Sequence, residues 1–467
     1  MKYSPIYFKE NVSDALANTQ LRKNLTKALN HSLAVRETLK NEYGDQWEKL
    51  KEEAHKIKAN SINHLFDYLQ LFEKKASENG FKVLWAKDSQ QACNEIYKII
   101  SQNKGKTVVK SKSMTTEEIG LNHYLEKLNI EVIETDLGEY IVQLAGEPPS
   151  HITAPAIHKS KEEIGKLFSE KLNIEYTSNP TELTKIARKI LREKFLNADI
   201  GISGVNFAIA ETGSIVIIEN EGNGRLCNSA PKIHIALMGI EKIIPSLEDF
   251  DVFIKLLPAS ATGQKITSYI SMINSVNNEK HIPKEVYIVI LDNGRSKLLV
   301  DPNEKQFLYC LRCGACMNIC PIYQHIGGQS YGWVYPGPIG SILTANYLDK
   351  KTAKDLPFAS SLCGSCSEIC PVKIELHRKL LDLRSEIVEL GYVNKIEKLI
   401  MKFFEIIVLN KNIYSFLSSV GRMFQGLILK DGFVKIPFYK KSKLYPPISK
   451  KTFHEWYKRN RVTNHTL

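Results

Sequence analysis

Seven of the nine cysteines in this chain of 467 residues lie within one short segment, and their spacing restricts what that segment can fold into. They form two runs, Cys310-x2-Cys313-x2-Cys316-x3-Cys320 and Cys363-x2-Cys366-x3-Cys370, and a proline follows the last cysteine of each run. In the first spacing, a loop and one helical turn hold three corners of a 4Fe–4S cluster while the fourth thiolate reaches a second cluster. The sequence therefore predicts a segment that binds two 4Fe–4S clusters.

In ferredoxins of this kind the last cysteine of each run binds the cluster of the other run, which assigns the ligands. Cluster 1 takes Cys310, Cys313, Cys316 and Cys370, and cluster 2 takes Cys320, Cys363 and Cys366. The 42 residues between the runs (321–362) make a longer gap than in small bacterial ferredoxins. With helical stretches around it, this gap indicates an α-helical ferredoxin module like those of multisubunit oxidoreductases. Structural zinc prefers two separated Cys-x2-Cys pairs and fits the runs poorly.

Cluster 2 lacks one cysteine ligand. Counting back from Cys370 with the intervals of the first run reaches Ser360, although the adjacent Ser361 leaves the register open. Ser360 either supplies an alkoxide ligand, leaves one iron open to water or substrate, or marks a 3Fe–4S cluster; a 4Fe–4S cluster with an unusual or vacant fourth site is favoured. His325 and His377 lie near the runs, but a surface or structural role is commoner for such histidines.

The composition is ordinary for a globular protein, with 43% hydrophobic and 24% charged residues. No run of about 18 uncharged apolar residues occurs, so no segment is expected to span a bilayer. The first residues lack the apolar core of a secretory signal. In a reducing cytoplasm clustered thiols bind metal rather than form disulfides, so the sequence predicts a cytoplasmic location.

The net charge of +12 is unevenly distributed. Between Lys435 and Arg461, nine basic residues accompany one acidic residue, Glu455. A solvated tail is the commonest explanation, and contact with an acidic partner or an anionic membrane surface is the alternative. The aromatic residues that would assist such contact are Phe438, Tyr439, Tyr445, Trp456 and Tyr457. No recognised nucleic-acid-binding motif is present, so no nucleic-acid partner is predicted.

Before the cysteines, short apolar strands alternate with helices, which predicts a mostly parallel sheet covered on both faces. A helix is expected to begin at Asp88, and Thr115-x-x-Glu118 is interpreted as a capping box. Thr212-Gly213 predicts a tight hairpin within residues 206–220. The predicted strands lie at 81–86, 107–112, 130–135 and 139–144.

These patterns predict four regions. They are a helical extension (1–75), an α/β domain (76–300), an all-α ferredoxin-type domain with the clusters (301–390), and a helical and basic C-terminal region (391–467). The chain contains no Gly-x-Gly-x-x-Gly fingerprint for a dinucleotide. No catalytic residue is identified from the sequence.

Lys110, Ser111 and Lys112 precede a helix N-terminus and could bind a carboxylate or phosphate there. The charges of Glu117 and Glu118 in the first turn weaken that site.

Other residues of the α/β domain have a functional and a structural interpretation. Glu211 is an acidic candidate, with a solvated turn favoured, and residues 222–225 could cradle an anion with Arg225 or form only a flexible loop. For His151 and His158, beside a proline-rich segment, loop packing is favoured over a role as a base. Cys93 and Cys227 are expected to be buried packing thiols.

The chain resembles the lactate-utilisation iron–sulfur protein family (LutB type) over nearly its full length. The resemblance rests on residues 111–122, 149–158, 204–226, 312–344 and 360–374. It implies an electron-transport subunit of a complex that oxidises L-lactate to pyruvate, with other subunits as partners and an unidentified electron acceptor. It also implies that the missing cysteine at 360 is a family trait. The α/β domain is, on the same resemblance, similar to the sugar-isomerase and CoA-transferase-like fold.

Three other functions fit the same residues. The chain could oxidise a hydroxy acid by itself, with the substrate in the α/β domain and the clusters as electron acceptors. An open iron in cluster 2 would suit a disulfide reductase, and a cluster-based redox sensor is the third alternative. The cluster spacing and the resemblance together favour the electron-transfer subunit.

Overall fold

The computed structural model describes residues 3–276, 283–427, 429–430, 433–434, 446–449 and 451–461. The chain divides into two compact units, Met1–Ile387 (unit 1) and Val388–Leu467 (unit 2). Unit 1 contains the N-terminal helices, the α/β part and the cysteine runs, whereas unit 2 contains the C-terminal helices.

Four helices form the N-terminal part of unit 1: α1 (Phe8–Ala17), α2 (Thr19–Tyr43), α3 (Asp45–Asn63) and α4 (Leu65–Glu78). The Asn18 side chain accepts a hydrogen bond from the Leu21 amide at 3.0 Å and caps α2. Leu21, Leu25 and Leu29 recur every four residues, so one face of α2 is buried.

The strands of unit 1 form two sheets. In chain order they are β1 (Lys82–Ala86), β2 (Thr107–Lys110), β3 (Glu131–Glu134), β4 (Ile200–Gly204), β5 (Phe207–Ile209), β6 (Ser214–Glu219), β7 (Ile233–Gly239), β8 (Ile243–Ile244), β9 (Tyr269–Ile273) and β10 (Glu285–Leu291). The larger sheet has the order β1-β10-β7-β4-β2-β3, and every neighbouring pair in it is parallel. The smaller sheet has the order β8-β5-β6-β9.

Helices cover both faces of the larger sheet. They are α5 (Ser89–Gln102), α6 (Met114–Glu118), α7 (Leu121–Glu126), α8 (Leu137–Ala145), α9 (Lys161–Leu172), α10 (Pro180–Asn197), α11 (Asn223–Ser229) and α12 (Leu247–Thr262). The adjacent residues Val108 and Val109 of β2 belong to different apolar cores, the first shared with Ile96 of α5 and the second with Leu191 of α10. Side chains that alternate along a strand explain this division.

Two predictions of local structure are confirmed. The Asp88 side chain accepts a hydrogen bond from the Gln91 amide at 2.9 Å, at the start of α5. β5 and β6 form an antiparallel hairpin whose turn contains Gly213 with φ of 69°. A Cβ at Gly213 would lie 2.4 Å from the Ala76 amide nitrogen, so the turn requires glycine on two counts.

Two others are wrong. Residues 139–144 lie in α8 and not in a strand, because the Asp136 carboxylate caps the Glu139 amide at 3.1 Å. The N-cap of α6 is Ser113, whose hydroxyl accepts from the Thr116 amide at 3.3 Å, and not Thr115. A short apolar run and a Ser/Thr-rich start each fit more than one local structure.

The part of unit 1 around the cysteines is helical in its described residues. Its helices are α13 (Ala315–Asn318), α14 (Pro321–Ile326), α15 (Gly337–Tyr347), α16 (Ser365–Glu368) and α17 (Leu376–Glu389). The predicted fold class, an α/β domain with a mostly parallel sheet followed by a helical ferredoxin-type domain, is thereby confirmed.

Unit 2 contains α18 (Lys395–Leu409), α19 (Lys411–Phe424), β11 (Leu429–Lys430), β12 (Phe433–Val434) and α20 (Phe453–Arg461). Exposed apolar side chains are frequent in α18 and α19; they include Leu399, Phe403, Phe404, Leu409 and Phe416. Much of the basic segment, including Phe438, Tyr439 and Tyr445, lies outside the described residues. No helix in the described part of the chain is long and apolar enough to cross a membrane.

Candidate metal centre

The two cysteine runs share one backbone conformation, repeated after fifty residues. Arg312 and Leu362, each immediately before a cysteine, have φ of 60° and 56°, and Gly314 and Gly364 have φ of 80° and 85°. A short helix follows each glycine, α13 in the first run and α16 in the second. The left-handed residues turn the chain sharply, so that the cysteines on either side of the turn can face a common centre.

Ser360 takes the position in the second run that Cys310 has in the first. The Arg312 amide donates a hydrogen bond to the Cys310 sulfur at 3.4 Å, and the Leu362 amide donates the equivalent bond to the Ser360 hydroxyl oxygen at 3.1 Å. The neighbouring Ser361 instead hydrogen-bonds the Cys363 thiol. The register that the sequence left open is therefore that of Ser360.

The thiols fall into two neighbourhoods. The pKa of Cys316 is raised first by burial and then by the nearby sulfurs of Cys310, Cys313 and Cys370. This group combines three cysteines of the first run with the last of the second.

The second neighbourhood has the complementary composition. Burial raises the pKa of Cys366 to about 11, with contributions from Cys320 and Cys363. Cys320 belongs to the first run, so each group includes the final cysteine of the other run.

The buried cysteines are better suited to bind iron–sulfur clusters than to remain as uncharged thiols. Burial raises the pKa of Cys313 to about 11 and that of Cys370 to about 12, so these thiols stay protonated unless metal replaces the proton. The Ile374 amide also donates to the Cys370 sulfur at 3.4 Å, a contact that stabilises a thiolate. Among the described residues, no three His, Cys, Asp or Glu side chains are placed to bind a single metal ion. The support for iron–sulfur clusters therefore comes from the conformation of the two cysteine loops and from the two thiol neighbourhoods.

Buried cations surround the first group of thiols. Arg36 donates to the Ile369 carbonyl at 3.0 Å, and Lys51 donates to the Glu368 carbonyl at 2.9 Å. Lys58 is fully buried and donates to the Glu241 carbonyl at 2.6 Å; burial lowers its pKa to about 7 against the opposing charge of Glu241. Such cations compensate the negative charge of thiolate ligands in a medium that contains little water.

A buried ion network lies beside these cations. Arg295 binds both oxygens of Glu118 at 2.8 Å, and its Nε donates to Glu241 Oε2 at 2.6 Å. Glu118 also accepts from the Tyr335 hydroxyl and from Asn293, each at 2.7 Å. Since Tyr335 follows the first cysteine run and Glu118 belongs to α6, the network joins the α/β part to the cysteine part of unit 1.

A cavity of about 340 Å³ opens next to the first cysteine run. It is lined by Leu311, Arg312, Cys313 and Tyr335 of the cysteine part and by residues of the α/β part that include Lys112 and Lys242. Sequence reasoning missed it, because Lys242 and Arg312 become neighbours only in the folded chain and neither belongs to a ligand-binding motif.

The comparisons with known proteins agree with this geometry. Residues 69–291 match the LUD domain, and residues 306–374 match the 4Fe-4S dicluster domain. The chain is 42% identical over 468 residues to lactate utilization protein B of Bacillus cytotoxicus, which covers 99% of this chain and 98% of the relative. With lactate utilization protein B of Bacillus cereus (strain AH820) it is 41% identical over 465 residues, 98% of each chain. The chain belongs to the lactate utilization protein B family.

A solved structure of a duf162 family protein from Deinococcus radiodurans matches 49% of this chain and 98% of its own, with 14% identity and a TM-score of 0.28. The match of residues 306–374 to the 4Fe-4S dicluster domain supports iron–sulfur clusters in this chain. A domain that holds two clusters also agrees with the two cysteine runs.

The histidines singled out from the sequence make local contacts. His151 is buried, with Nε2 at 2.9 Å from Asn318 Oδ1, and burial followed by the charge of Lys112 lowers its pKa to about 4. His158 Nε2 lies 2.7 Å from a Glu147 oxygen.

The histidines near the runs are likewise engaged. His325 contacts the Pro321 carbonyl at 2.7 Å, and His377 contacts the Ser367 hydroxyl at 2.8 Å. These contacts give all four histidines a structural role.

The residues predicted to bind an anion have different surroundings in the structure. Lys110 is fully buried and pairs with Glu134 at 2.7 Å and Glu117 at 3.1 Å, so its charge is used inside the protein. Ser111 and Lys112, by contrast, line the cavity.

In the loop of residues 222–225, the amides of Gly224 and Arg225 both donate to Glu219 at 2.6 Å. This loop therefore uses two of its amides to bind a carboxylate of the protein itself. Glu211 accepts from the Leu247 amide at 3.1 Å. Cys93 and Cys227 are buried, as predicted.

Proposed function

We propose that the chain is an iron–sulfur electron-transfer protein of L-lactate utilisation, which relays electrons through two 4Fe–4S clusters within a multisubunit complex that oxidises L-lactate to pyruvate. The curated relatives bear the name lactate utilization protein B. The observation that carries the proposal is the repeated backbone of the two cysteine runs, together with thiol neighbourhoods that each contain one cysteine from the other run. Two-cluster ferredoxins have this arrangement, which supports the proposal.

The ligands of cluster 1 are proposed to be Cys310, Cys313, Cys316 and Cys370, and those of cluster 2 Cys320, Cys363 and Cys366. Such clusters, when bound, accept and release one electron at a time. Ser360 is proposed to face the fourth iron of cluster 2, either as a ligand or beside an open position. Its hydroxyl oxygen accepts the same backbone hydrogen bond as the Cys310 sulfur, which supports this placement.

We also propose the domain organisation that the sequence predicts. It comprises a helical extension (1–75), the α/β domain (76–300), the cluster domain (301–390) and the C-terminal region (391–467). We propose a cytoplasmic protein whose partner subunits contact the exposed apolar residues of α18 and α19. Large exposed apolar patches commonly mark such interfaces, and contact with an anionic membrane surface is the competing use of the same region.

The proposal is tested by spectroscopy on protein whose clusters have been reconstituted anaerobically. EPR of the oxidised and reduced protein is expected to give two 4Fe–4S signals, whereas one 3Fe–4S signal would revise the assignment of cluster 2. L-lactate is then added to the chain alone and together with candidate partner subunits. Loss of cluster absorbance only in the presence of the partners is expected of an electron-transfer subunit.

A second candidate is a hydroxy-acid-oxidising subunit that acts by itself. The cavity beside Cys313 favours it, because a substrate there would lie against a proposed cluster ligand. Reduction of the clusters by L-lactate without any partner would establish this alternative. A disulfide-reductase type of carrier would instead be reduced by dithiols without L-lactate.

A further inference from the structure

We propose that the cavity beside the first cysteine run is a binding site for a small organic carboxylate, and that Arg312 is the residue that anchors the carboxylate. The class that we name, three-carbon 2-hydroxy and 2-oxo acids such as L-lactate and pyruvate, rests on the proposed function. The binding of a carboxylate rests on the charges in the cavity alone.

Arg312 is the strongest indication of a ligand. Its residue is 8% exposed, it lines the cavity, and Nη1 and Nη2 have no hydrogen-bond partner among the described residues. Its guanidinium lies 4.8 Å above the Tyr335 ring, which fixes its plane. Buried donors without partners are costly, and two such donors on one guanidinium match the two oxygens of a carboxylate.

Two lysines add positive charge to the same cavity. Lys242 is 9% exposed, and its Nζ lies 3.9 Å from Glu241 Oε1, too far for a hydrogen bond. Arg312 Nη2 lies at the same distance, 3.9 Å, from this oxygen. Lys112 also lines the cavity; its charge lowers the pKa of Glu221 against the effect of burial, although no ion pair of Lys112 is found among the described residues. Three cations thus line the cavity, and Arg312 and Lys242 each lie beyond hydrogen-bonding distance of the Glu241 carboxylate.

The cavity also contains acidic side chains, but backbone amides already bind them. Asp136 accepts from the Glu139 amide at 3.1 Å, and Glu221 accepts from the Leu137 amide at 3.0 Å. Glu219, as described above, accepts two amides of the loop that follows it. The acids are therefore held by amides of the protein itself. The charge of Lys112 acts on Glu221, whereas Arg312 and Lys242 lie beside Glu241 without a hydrogen bond to it and remain available to an anion.

The size and position of the cavity suit a small substrate. Its volume of about 340 Å³ lies at the lower end of the range for ligand sites, roughly 300–1,000 Å³. Ile152, Val205 and Leu257 add apolar lining, which suits a short carbon chain beside the charged residues. Cys313, a proposed ligand of cluster 1, lines the same cavity as Arg312. A carboxylic acid bound by Arg312 would therefore lie next to the proposed entry point of the electron path.

The competing explanation is that Arg312 and Lys242 serve only to balance the charge of cluster 1. The two explanations differ in a binding experiment. The holoprotein, with both clusters oxidised and under anaerobic conditions, is titrated in a calorimeter with L-lactate, pyruvate, propionate and inorganic phosphate. Binding of L-lactate or pyruvate with at least tenfold preference over propionate is expected; the absence of heat with all three carboxylates would overturn the proposal, as would binding of phosphate alone.

Variants locate the site. Arg312→Gln is expected to weaken carboxylate binding at least tenfold, and Lys242→Met should weaken it in the same direction if the Arg312 variant loses cluster 1. Arg225→Gln is the matched control, because Arg225 is exposed and does not line the cavity. Iron content and visible absorbance verify that clusters persist in each variant. Equal affinity in the wild type and both cavity variants would place the ligand elsewhere and refute the proposal.

The outcome is separable from that of the proposed function. Binding is measured without turnover and without partner subunits, so a carboxylate site can exist in a protein that carries no electrons from L-lactate. Conversely, partner-dependent cluster reduction without any carboxylate binding to the chain would leave the electron-transfer function standing and remove the site.

Discussion

The substitution Arg295→Met tests whether the buried ion network joins the α/β part of unit 1 to its cysteine part. Arg295 has 0% side-chain exposure and makes three charged hydrogen bonds, two to Glu118 at 2.8 Å and one to Glu241 at 2.6 Å. Methionine fills much of the same volume but leaves both carboxylates without their principal cation. The loss is thus mainly electrostatic.

Removing one partner of a buried ion pair costs about 3–5 kcal/mol of unfolding free energy. Here Tyr335 and Asn293 still donate to Glu118 at 2.7 Å each, so we expect the lower part of that range. A loss of about 3 kcal/mol corresponds to a change of roughly a hundredfold in the folding equilibrium.

The loss should also depend on pH. Burial alone would raise the pKa of Glu241, but Arg295, followed by Lys242 and Arg312, lowers the pKa to about 2. A depressed pKa stabilises the fold above the ordinary carboxylate value of 4.5, and this contribution disappears as the pH falls towards 2. The variant lacks most of that contribution at neutral pH, so its deficit relative to the wild type should shrink between these two pH values.

Urea unfolding provides the assay. Trp333 lies 5.4 Å from the Tyr335 ring and reports on this region by fluorescence, while visible absorbance follows the clusters. Lys194→Met is the control, since Lys194 forms an exposed pair with Glu131 at 2.7 Å and should lose less than about 1 kcal/mol. The double variant Arg295→Met/Glu118→Leu should recover part of the loss. A deficit no larger than that of the control, or one equally large at about pH 3.5 and pH 7, would refute the reasoning.

Three further predictions concern the clusters and unit 2. Ser360→Cys should supply a fourth thiolate to cluster 2 and change only that cluster's EPR signal; an unchanged spectrum would exclude Ser360 from its surroundings. Cys370→Ser should remove cluster 1 although Cys370 lies in the second run, and Cys320→Ser should remove cluster 2, as iron content and EPR would record; the reverse result would refute the exchange of ligands between runs. Phe403→Asp combined with Phe404→Asp should abolish association with purified partner subunits in size-exclusion chromatography, while the iron content stays the same. Undisturbed association with the partners would contradict the proposed interface, and so would a variant that loses only its binding to lipid vesicles.

The sequence predicts the cluster loops well because their determinants are local. The intervals between cysteines, Gly314 and Gly364 lie within a few residues of one another, so spacing alone specifies the turns. The Thr212-Gly213 hairpin is local for the same reason. The interval count also predicts Ser360 as the counterpart of Cys310, and the hydrogen bond from the Leu362 amide to the Ser360 hydroxyl supports this register.

What the sequence could not predict depends on distant contacts. The sequence predicts a strand at 139–144, where the structure has a helix, because six apolar-rich residues fit either structure. Only the cap at Asp136 and the lack of a pairing strand decide between them. Residues 222–225 resemble an anion loop, yet Glu219 accepts hydrogen bonds from the amides of Gly224 and Arg225 in the fold. The cavity brings together residues as far apart in the chain as Ser111 and Tyr335, and no local pattern indicates it.

Glu241 connects the stability of the fold to the charge of the cavity. Its Oε2 atom is bound by Arg295 at 2.6 Å, which turns Oε1 towards Lys242 and Arg312 but leaves it 3.9 Å from each and without a hydrogen bond. Because Arg295 binds the Glu241 carboxylate, this carboxylate attracts Lys242 and Arg312 without accepting hydrogen bonds from them. The ion network thereby stabilises the junction between the α/β part and the cysteine part, and it keeps Arg312 buried, oriented and available beside Cys313. This is why substitution of Arg295 should weaken both the fold and the binding of a carboxylate, whereas substitution of Arg312 should affect binding more than stability.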